Sequence, residues 1–178
     1  MASSMRRRGT ATRHCGIRPV SRSVSGLKLT DAELNQVTAS ILRIGSGNAG
    51  AIDFAGGIDL KTGQVSGKAV GTLELQSAQS VSGSGAVVVG KLGIVSNTSV
   101  SLLAAGNDVD TLGVDAEGNV SFLDANALTL GSVVLCTLGT LNGIDTTNDV
   151  VTVQADDLTI SQPVLGDNLI ATRQGTGS

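Results

Sequence analysis

Apolar and polar positions alternate along most of the chain after residue 40, a period typical of β-strands with one buried side. The clearest apolar pairs are Ile52/Phe54, Ile58/Leu60, Leu73/Leu75, Val87/Val89, Val100/Leu102, Val120/Phe122, Leu128/Leu130, Val151/Val153 and Leu158/Ile160. Clusters of Gly, Asn, Asp and Ser separate these pairs, and such residues favour tight turns. The pattern therefore predicts many short strands joined by turns.

Only one segment carries a helical signal. Thr30-Asp-Ala-Glu33 matches a capping box, and Leu34 and Val37 follow at helical spacing. This predicts a short helical turn over 31–37, with extended chain over 41–44. No later segment has the length and apolar side of a helix that could cover a parallel sheet, so a doubly wound α/β fold is excluded.

A twelve-residue phrase that begins at Asn119 returns at Asp149, a looser copy with a two-residue insertion begins at Ser99, and a shorter one begins at Ala51. Such self-similarity indicates a solenoid. We predict an all-β, right-handed parallel β-helix over 27–165, with roughly six or seven coils in a rod about 30 Å long. A β-sandwich remains an alternative, although its strands need not share a phrase.

Alignment of the phrases predicts which residues stack in successive coils. The predicted buried stacks are Val120/Val150, Leu123/Val153, Ala125/Ala155, Leu128/Leu158 and Leu130/Ile160, and Thr129/Thr159 would form an outer ladder. We therefore expect aspartate at Leu130 or Ile160 to prevent folding, because a buried carboxylate would have no partner. Serine at either threonine should have little effect.

The composition agrees with a core of thin, repetitive layers, and the basic residues are concentrated near the start of the chain. Hydrophobic residues make up 40% of the sequence, yet Phe54 and Phe122 are the only aromatic ones. Six of the twelve basic residues lie in 1–26, and no acidic residue precedes Asp31. We predict a disordered basic leader over 1–26 and a flexible tail over 166–178. The leader lacks the apolar run of a secretory signal, and no stretch is apolar enough to span a membrane.

Two motifs suggest binding sites, but a simpler interpretation is favoured for each. Residues 45–50 match the dinucleotide fingerprint Gly-x-Gly-x-x-Gly, which requires a following helix, whereas a strand pattern follows here. Asp108, Asp110, Asp115 and Glu117 are clustered oxygen ligands of the kind that calcium prefers, but the EF-hand register is absent. We interpret the first motif as a turn and the second as a solvated surface.

No catalytic, cofactor-binding or metal-binding residue is predicted, and no cofactor. Asp156 and Asp157 are an adjacent carboxylate pair, but neighbours in a strand point to opposite sides. The chain has no Trp or Tyr to hold sugar rings, and its one histidine, His14, lies in the leader. The spacing of Cys15 and Cys136 fits no metal or redox motif, so Cys136 is interpreted as a small apolar residue. An enzyme is not expected, and neither is a nucleic-acid partner.

Four segments, 29–45, 105–112, 124–131 and 155–160, resemble sequences common in very large bacterial surface proteins related to filamentous haemagglutinin. These are β-helical passengers of two-partner-secretion or autotransporter type. The resemblance implies an internal fragment of a secreted or cell-surface adhesin that acts as a stiff stalk. Its expected partners are adjacent coils of a longer parent chain and host or environmental surface glycans or proteins. No functional residue is carried over from the family.

Two other functions remain open. The first is a β-helical carbohydrate-active enzyme or a glycan-binding module, which a groove with several convergent carboxylates would favour. The second is an ice-binding solenoid, which needs a regular threonine array. Thr129 and Thr159 align in the repeated phrase, but the earlier counterpart Asp59 breaks that series, so the second function is disfavoured.

Overall fold

The computed structural model describes residues 29–64, 66, 69–147 and 149–173, so the predicted leader over 1–26 lies outside the described residues. This part of the chain is all-β apart from one short helix. The elements are α1 (Asp31–Leu34), β1 (Ala39–Gly45), β2 (Ile52–Phe54), β3 (Ile58–Asp59), β4 (Val70–Ser77), β5 (Val81–Gly83), β6 (Val87–Ser96), β7 (Val100–Leu102), β8 (Asp108–Ala116), β9 (Val120–Leu123), β10 (Ala127–Leu130), β11 (Ser132–Val134), β12 (Thr140–Asn142), β13 (Ile144–Thr146), β14 (Val150–Ala155), β15 (Asp157–Ile160), β16 (Val164–Leu165) and β17 (Asn168–Arg173).

All the strands except β11 and β12 form two parallel sheets, and the chain passes from one sheet to the other and back. The first sheet has the order β1-β4-β6-β8-β10-β15, with β3, β13 and β16 paired alongside. The second sheet has the order β2-β5-β7-β9-β14-β17. We call one passage through both sheets a circuit, and the six circuits are β1–β2, β3–β5, β6–β7, β8–β9, β10–β14 and β15–β17. This topology is compatible with the predicted parallel β-helix.

The core lies between the two sheets and contains the apolar pairs predicted from the alternation. All members of those pairs are buried except Ile52, Leu158 and Ile160. In β6 the buried positions change from Val87 and Val89 to Leu92 and Ile94, so the inward side of the strand shifts by one residue at 90–91. Such a shift is typical of a local bulge, and it lets one long strand follow a bend in the sheet.

The predicted stacking register is confirmed for one strand pair and wrong for the other. Leu128 lies opposite Leu158, Thr129 opposite Thr159 and Leu130 opposite Ile160, as expected. In the second sheet, however, Val120 pairs with Val151 and Phe122 with Val153, so the predicted stacks Val120/Val150 and Leu123/Val153 are displaced by one residue. The reason is the corner at 124–126, which is one residue longer than the matching corner at 155–156. The predicted stack Ala125/Ala155 falls at this corner.

A hairpin of β11 and β12 interrupts the fifth circuit, and the sequence analysis did not predict it. In the fourth circuit β8 is one continuous strand. In the fifth circuit two separate strands pair with it: Leu130 of β10 lies opposite Leu112, and Ile144 of β13 lies opposite Val114. The antiparallel hairpin between them lies on the outer side of the first sheet. Its Val133 and Leu135 are buried there, close to Gly93 and Gly113.

The described segment has one covered end. Thr30 and Glu33 form the predicted capping box of α1, which ends at Leu34 rather than continuing to Val37 as a regular helix. The side chain of Asp31 accepts a hydrogen bond from the backbone N–H of Asp59, at 2.7 Å, and so ties α1 to β3. Leu34 is buried in the same core as the sheets. The helix therefore closes this end of the core.

At the other end of the described residues no described strand follows β15, β16 and β17 in the stack, and two expectations change there. Ile160 is 49% exposed because no further described strand lies over it, so the expectation that Ile160 faces a dry interior is wrong for the described residues. Residues 168–173, assigned to a flexible tail from the sequence, form β17 and pair with β14. All six side chains of β17 are exposed, so the alternating burial that indicates a strand is absent.

Candidate functional sites

The Gly-rich motif over 45–50 is a turn between two strands. It leads from β1 into β2, and no helix follows it. Gly45 has a φ of 90°, and a Cβ there would lie 2.0 Å from the carbonyl oxygen of Gln76 in the next circuit. Glycine is therefore required for close approach of two backbones rather than for approach to a phosphate. The interpretation of this motif as a turn is confirmed.

The acidic residues singled out from the sequence are divided between two places. Asp108 and Asp110 both accept hydrogen bonds from the Lys61 ammonium group, at 2.8 and 2.7 Å. These contacts raise the pKa of Lys61 against the opposing effect of its partial burial. Because one cation already bridges the two carboxylates, this arrangement is an ion-paired surface rather than an open set of calcium ligands.

Asp115 belongs to a separate acidic surface. It lies opposite Asp145 in the register of β8 and β13, and both line a shallow groove of about 320 Å³ that Thr140, Leu141, Asn142, Pro163 and Leu165 complete. Partial burial raises the pKa of Asp115, and the charges of Asp145 and Glu117 raise it further. Within the described residues no three His, Cys, Asp or Glu side chains are placed to hold a metal ion.

The adjacent pair Asp156 and Asp157 lies where the chain enters the last described circuit. Both residues line a groove of about 590 Å³ with Leu158, Ile160 and Arg173 among its walls. Asp157 is exposed, whereas the Oδ1 atom of Asp156 is buried without a hydrogen-bond partner. Arg173 donates from Nε to the backbone carbonyl of Asp156 and not to its carboxylate, at 3.0 Å. The two carboxylates therefore differ in exposure, although both line the same groove.

A polar corner, which the sequence analysis did not identify, stands at Asn107 and Asp124. The amide group of Asn107 accepts from the backbone N–H of Val87 and donates to the carbonyls of Leu102 and Leu123. The Asp124 carboxylate accepts from the N–H groups of Val109 and Asn126, each at 2.9 Å. Both side chains are fully buried. They supply hydrogen-bond partners to backbone N–H and C=O groups that have no strand partner where the chain leaves the sheets. The only sequence signal for this corner is an Asn or Asp between two strand patterns, and the same signal is equally typical of an ordinary turn.

A second buried carboxylate, that of Glu74, lies beneath the hairpin. Its Oε2 atom accepts a hydrogen bond from the backbone N–H of Cys136 at 2.6 Å, and Arg43 lies beside it with Nη1 at 4.0 Å from Oε1. Arg43 also donates to Thr137 of the hairpin at 2.8 Å. Cys136 is half-buried, and its backbone rather than its side chain carries this contact. The arrangement fixes the hairpin to the outer side of the sheet.

The outer threonine ladder is longer than predicted by one residue. Thr111 lies opposite Thr129, which lies opposite Thr159, so three circuits contribute hydroxyl groups in register. Asp59 is not part of this series, contrary to the sequence alignment, because it pairs with Val88. The next residue in the column is Lys91, which ends the threonine array.

The stability of the protein should depend on pH through Asp124. Burial is the largest influence on this carboxyl, and it raises the pKa to about 6 despite two backbone hydrogen bonds. An unfolded aspartate has a pKa of about 3.9, so the folded state holds the proton more tightly. This contribution is fully present below about pH 4 and is lost as the pH rises through about 6. We expect it to amount to about 3 kcal/mol.

Urea titrations at a series of pH values from 4 to 7.5 test this prediction. Asp124→Asn should flatten the fall in unfolding free energy across this range, because an amide does not titrate. Asp53→Asn, at an exposed position on β2, is the matched control and should keep the fall. An unchanged pH profile in Asp124→Asn would contradict the role assigned to this carboxyl.

None of the described helices has the length and apolarity that crossing a membrane requires. Comparisons with protein-family models, with curated proteins and with solved structures give no match for this chain.

Proposed function

We propose that this chain is a right-handed parallel β-helix and serves as a structural or adhesive segment of a large secreted or cell-surface bacterial protein. In this role it is a stiff stalk without catalytic activity, and its partners are adjacent coils of a longer parent chain and surface glycans or proteins. The observation that carries the proposal is the in-register stacking of circuits through both sheets. A stack of this kind can be extended by further circuits without any change of fold.

The right-handed winding rests on a general rule of parallel sheets. Each connection between two strands that pair in parallel passes through the other sheet, so it is a crossover between parallel strands. Such crossovers are right-handed in about 98% of cases, because strand twist favours that direction. Successive crossovers of one hand wind the chain in one direction.

Stiffness is supported by polar residues that repeat at one corner. Ser77, Ser96 and Thr146 occupy matching register positions, and all three are buried. The Ser77 hydroxyl donates to the carbonyl of Gly50, that of Ser96 to Gln79, and that of Thr146 to Leu165. Each bond joins a strand end to a different circuit, and a buried, fully paired corner resists bending.

An antibody raised against the chain tests the proposed location and context. On immunoblots of cells of the source organism, the antibody should detect a polypeptide much larger than the 17.8 kDa of this chain. Protease added to intact cells should remove the signal, while an antibody to an internal protein shows an unchanged band. A product of the chain's own size that survives protease on intact cells, and disappears only after lysis, would overturn the proposal.

The alternative function is a carbohydrate-active enzyme or glycan-binding module, and one observation favours it. Asp115 and Asp145 are opposite each other on neighbouring strands and line the same groove, and glycoside hydrolysis uses a pair of carboxylates. The test is release of reducing sugar from a panel of polysaccharides. Activity that Asp115→Asn and Asp145→Asn remove, but Asp53→Asn retains, would establish the alternative and exclude a purely structural role.

A further inference from the structure

Two Asn-x-Ser sequences occur in the chain, Asn97-Thr-Ser99 and Asn119-Val-Ser121. This tripeptide is the acceptor sequence for N-linked glycosylation, and it is typical of surface loops in secreted proteins. Because the motif is short and also occurs by chance, its position in the fold decides whether a transferase can reach it. The structure places the two sequences in different surroundings.

The first sequence lies entirely in a turn. It falls after the end of β6 and before the start of β7, so none of its three residues belongs to a strand. The side chains of Asn97 and Thr98 are exposed, and Ser99 is partly exposed. The amide group of Asn97 is therefore accessible to an enzyme from solvent, and the turn can adapt to that enzyme without removing a strand from its sheet.

This turn has a described circuit on each side. Towards the second circuit, the N–H of Asn97 donates to the carbonyl of Ser77 at 3.2 Å, and the carbonyl of Ser99 accepts from the N–H of Val81 at 3.1 Å. Towards the fourth circuit, the following strand β7 pairs with β9. The exposure of Asn97 therefore does not depend on what lies beyond either end of the described stack.

The second sequence is held in the ladder of the second sheet. The Oδ1 atom of Asn119 accepts a hydrogen bond from the backbone N–H of Val150 at 2.9 Å. Val120 and Ser121 belong to β9, which pairs with β7 on one side and with β14 on the other. Val120 is also fully buried in the core. A transferase could bind this tripeptide only after β9 had left the sheet, and opening of a core strand costs a large part of the global unfolding free energy.

We propose that Asn97 carries an N-linked glycan and that Asn119 does not. The glycan rests on the proposed cell-surface role, because the modification is typical of secreted proteins. In the reaction, the Nδ2 atom of Asn97 attacks the anomeric carbon of a sugar activated by a diphosphate group. A carbon–nitrogen bond forms, the bond from the anomeric carbon to the diphosphate oxygen breaks, and one amide proton passes to the transferase. Ser99 supplies the hydroxyl group that the acceptor sequence requires.

A glycan at this turn suits a stalk. The turn lies on the side of the stack, between the two sheets of the third circuit. An N-linked glycan is bulky and hydrophilic, so it adds polar surface to that side. It leaves the faces on which further circuits stack uncovered.

Mass spectrometry of the protein isolated from the source organism tests the inference. Cleavage after lysine and glutamate separates the two sequences, because Lys91 and Glu117 delimit a peptide that contains Asn97 and not Asn119. The expected result is a mass gain of one or more sugar residues on the 92–117 peptide, with fragmentation placing the gain at Asn97. The peptide that contains Asn119 should keep the mass of its sequence.

Two substitutions at Ser99, expressed in the source organism, give a matched pair. Ser99→Ala removes the required hydroxyl and should abolish the mass gain, whereas Ser99→Thr keeps a hydroxyl and should retain the gain. Both variants leave Asn97 in place, and circular dichroism should show the same β-structure in each. A gain that persists in Ser99→Ala would show that the sugar is attached by another route, and would refute the inference.

The same measurements separate this inference from the proposed location. An unmodified 92–117 peptide, in protein that external protease removes from intact cells, would overturn the glycan and leave the cell-surface location standing. An unmodified peptide in protein that resists external protease would overturn both. Modification of Asn97 in protein that resists external protease would support the glycan and overturn the location. Equal modification of Asn97 and Asn119 would overturn the protection assigned to β9.

Discussion

Leu130→Asp is expected to prevent folding, whereas Ile160→Asp should leave a folded protein. The two residues are opposite each other in β10 and β15, and both were expected from the sequence to be buried. Leu130 is fully buried between Leu112 on one side and Ile160 on the other. A carboxylate there would lose its hydration without gaining a partner, at a cost of several kcal/mol, which is comparable to the total stability of many domains.

The measurement is the urea midpoint, followed by circular dichroism. Leu130→Asp should give no cooperative transition, while Ile160→Asp should retain one because half of its side-chain position is already open to water. Thr129→Ser, next to Leu130 on the outer side, is the control and should change the midpoint little. Similar midpoints for Leu130→Asp and Thr129→Ser would show that the inward side of β10 is assigned incorrectly.

Gly143→Ala should be far more damaging than Gly139→Ala, although both glycines have a positive φ. The values are 76° for Gly143 and 86° for Gly139, so a side chain at either position costs about 1 kcal/mol in backbone strain. At Gly139 a Cβ would meet no atom within 4 Å. At Gly143 it would lie 2.0 Å from the carbonyl oxygen of Pro163, so the backbone must move.

Movement at Gly143 has further consequences. Its N–H donates to the carbonyl of Gly131, and its own carbonyl accepts from the N–H of Val114. We therefore expect Gly143→Ala to lose several kcal/mol in unfolding free energy, and Gly139→Ala about 1 kcal/mol. The comparison is made by urea unfolding of both variants under one set of conditions. Equal losses would show that the approach of Gly143 to Pro163 is not a constraint on the fold.

The strands were predictable because the physical requirement is local. A strand between a core and water needs alternating residues, and the pairs Leu73/Leu75 and Val100/Leu102 satisfy it. The phrase copies at Ser99 and Asn119 also predict the two-residue insertion correctly. The register offset is 20 residues between Val100 and Val120, but 18 between Leu112 and Leu130.

The hairpin and the polar corner were not predictable from that rule. Val133 and Leu135 lie on either side of the exposed Val134, so apolar and polar residues do not alternate there, and both residues are buried against the outer side of a sheet rather than in the core. Asp124 is typical of a turn, and nothing in the sequence shows that its carboxylate replaces a backbone partner of Val109. The exposure of Ile160 depends on what lies beyond the last described strand, which local alternation does not encode.

The hairpin affects the order in which the circuits are expected to unfold. In a simple repeat array each unit contacts only its neighbours, so stability adds along the stack and the ends fray first. Here Thr137, in the fifth circuit, binds Arg43 in the first, and Cys136 binds Glu74 in the second. The first bond joins circuits four steps apart and residues 94 positions apart, and the second joins circuits three steps apart and residues 62 positions apart. We therefore expect the first circuits to unfold together with the fifth rather than independently from that end.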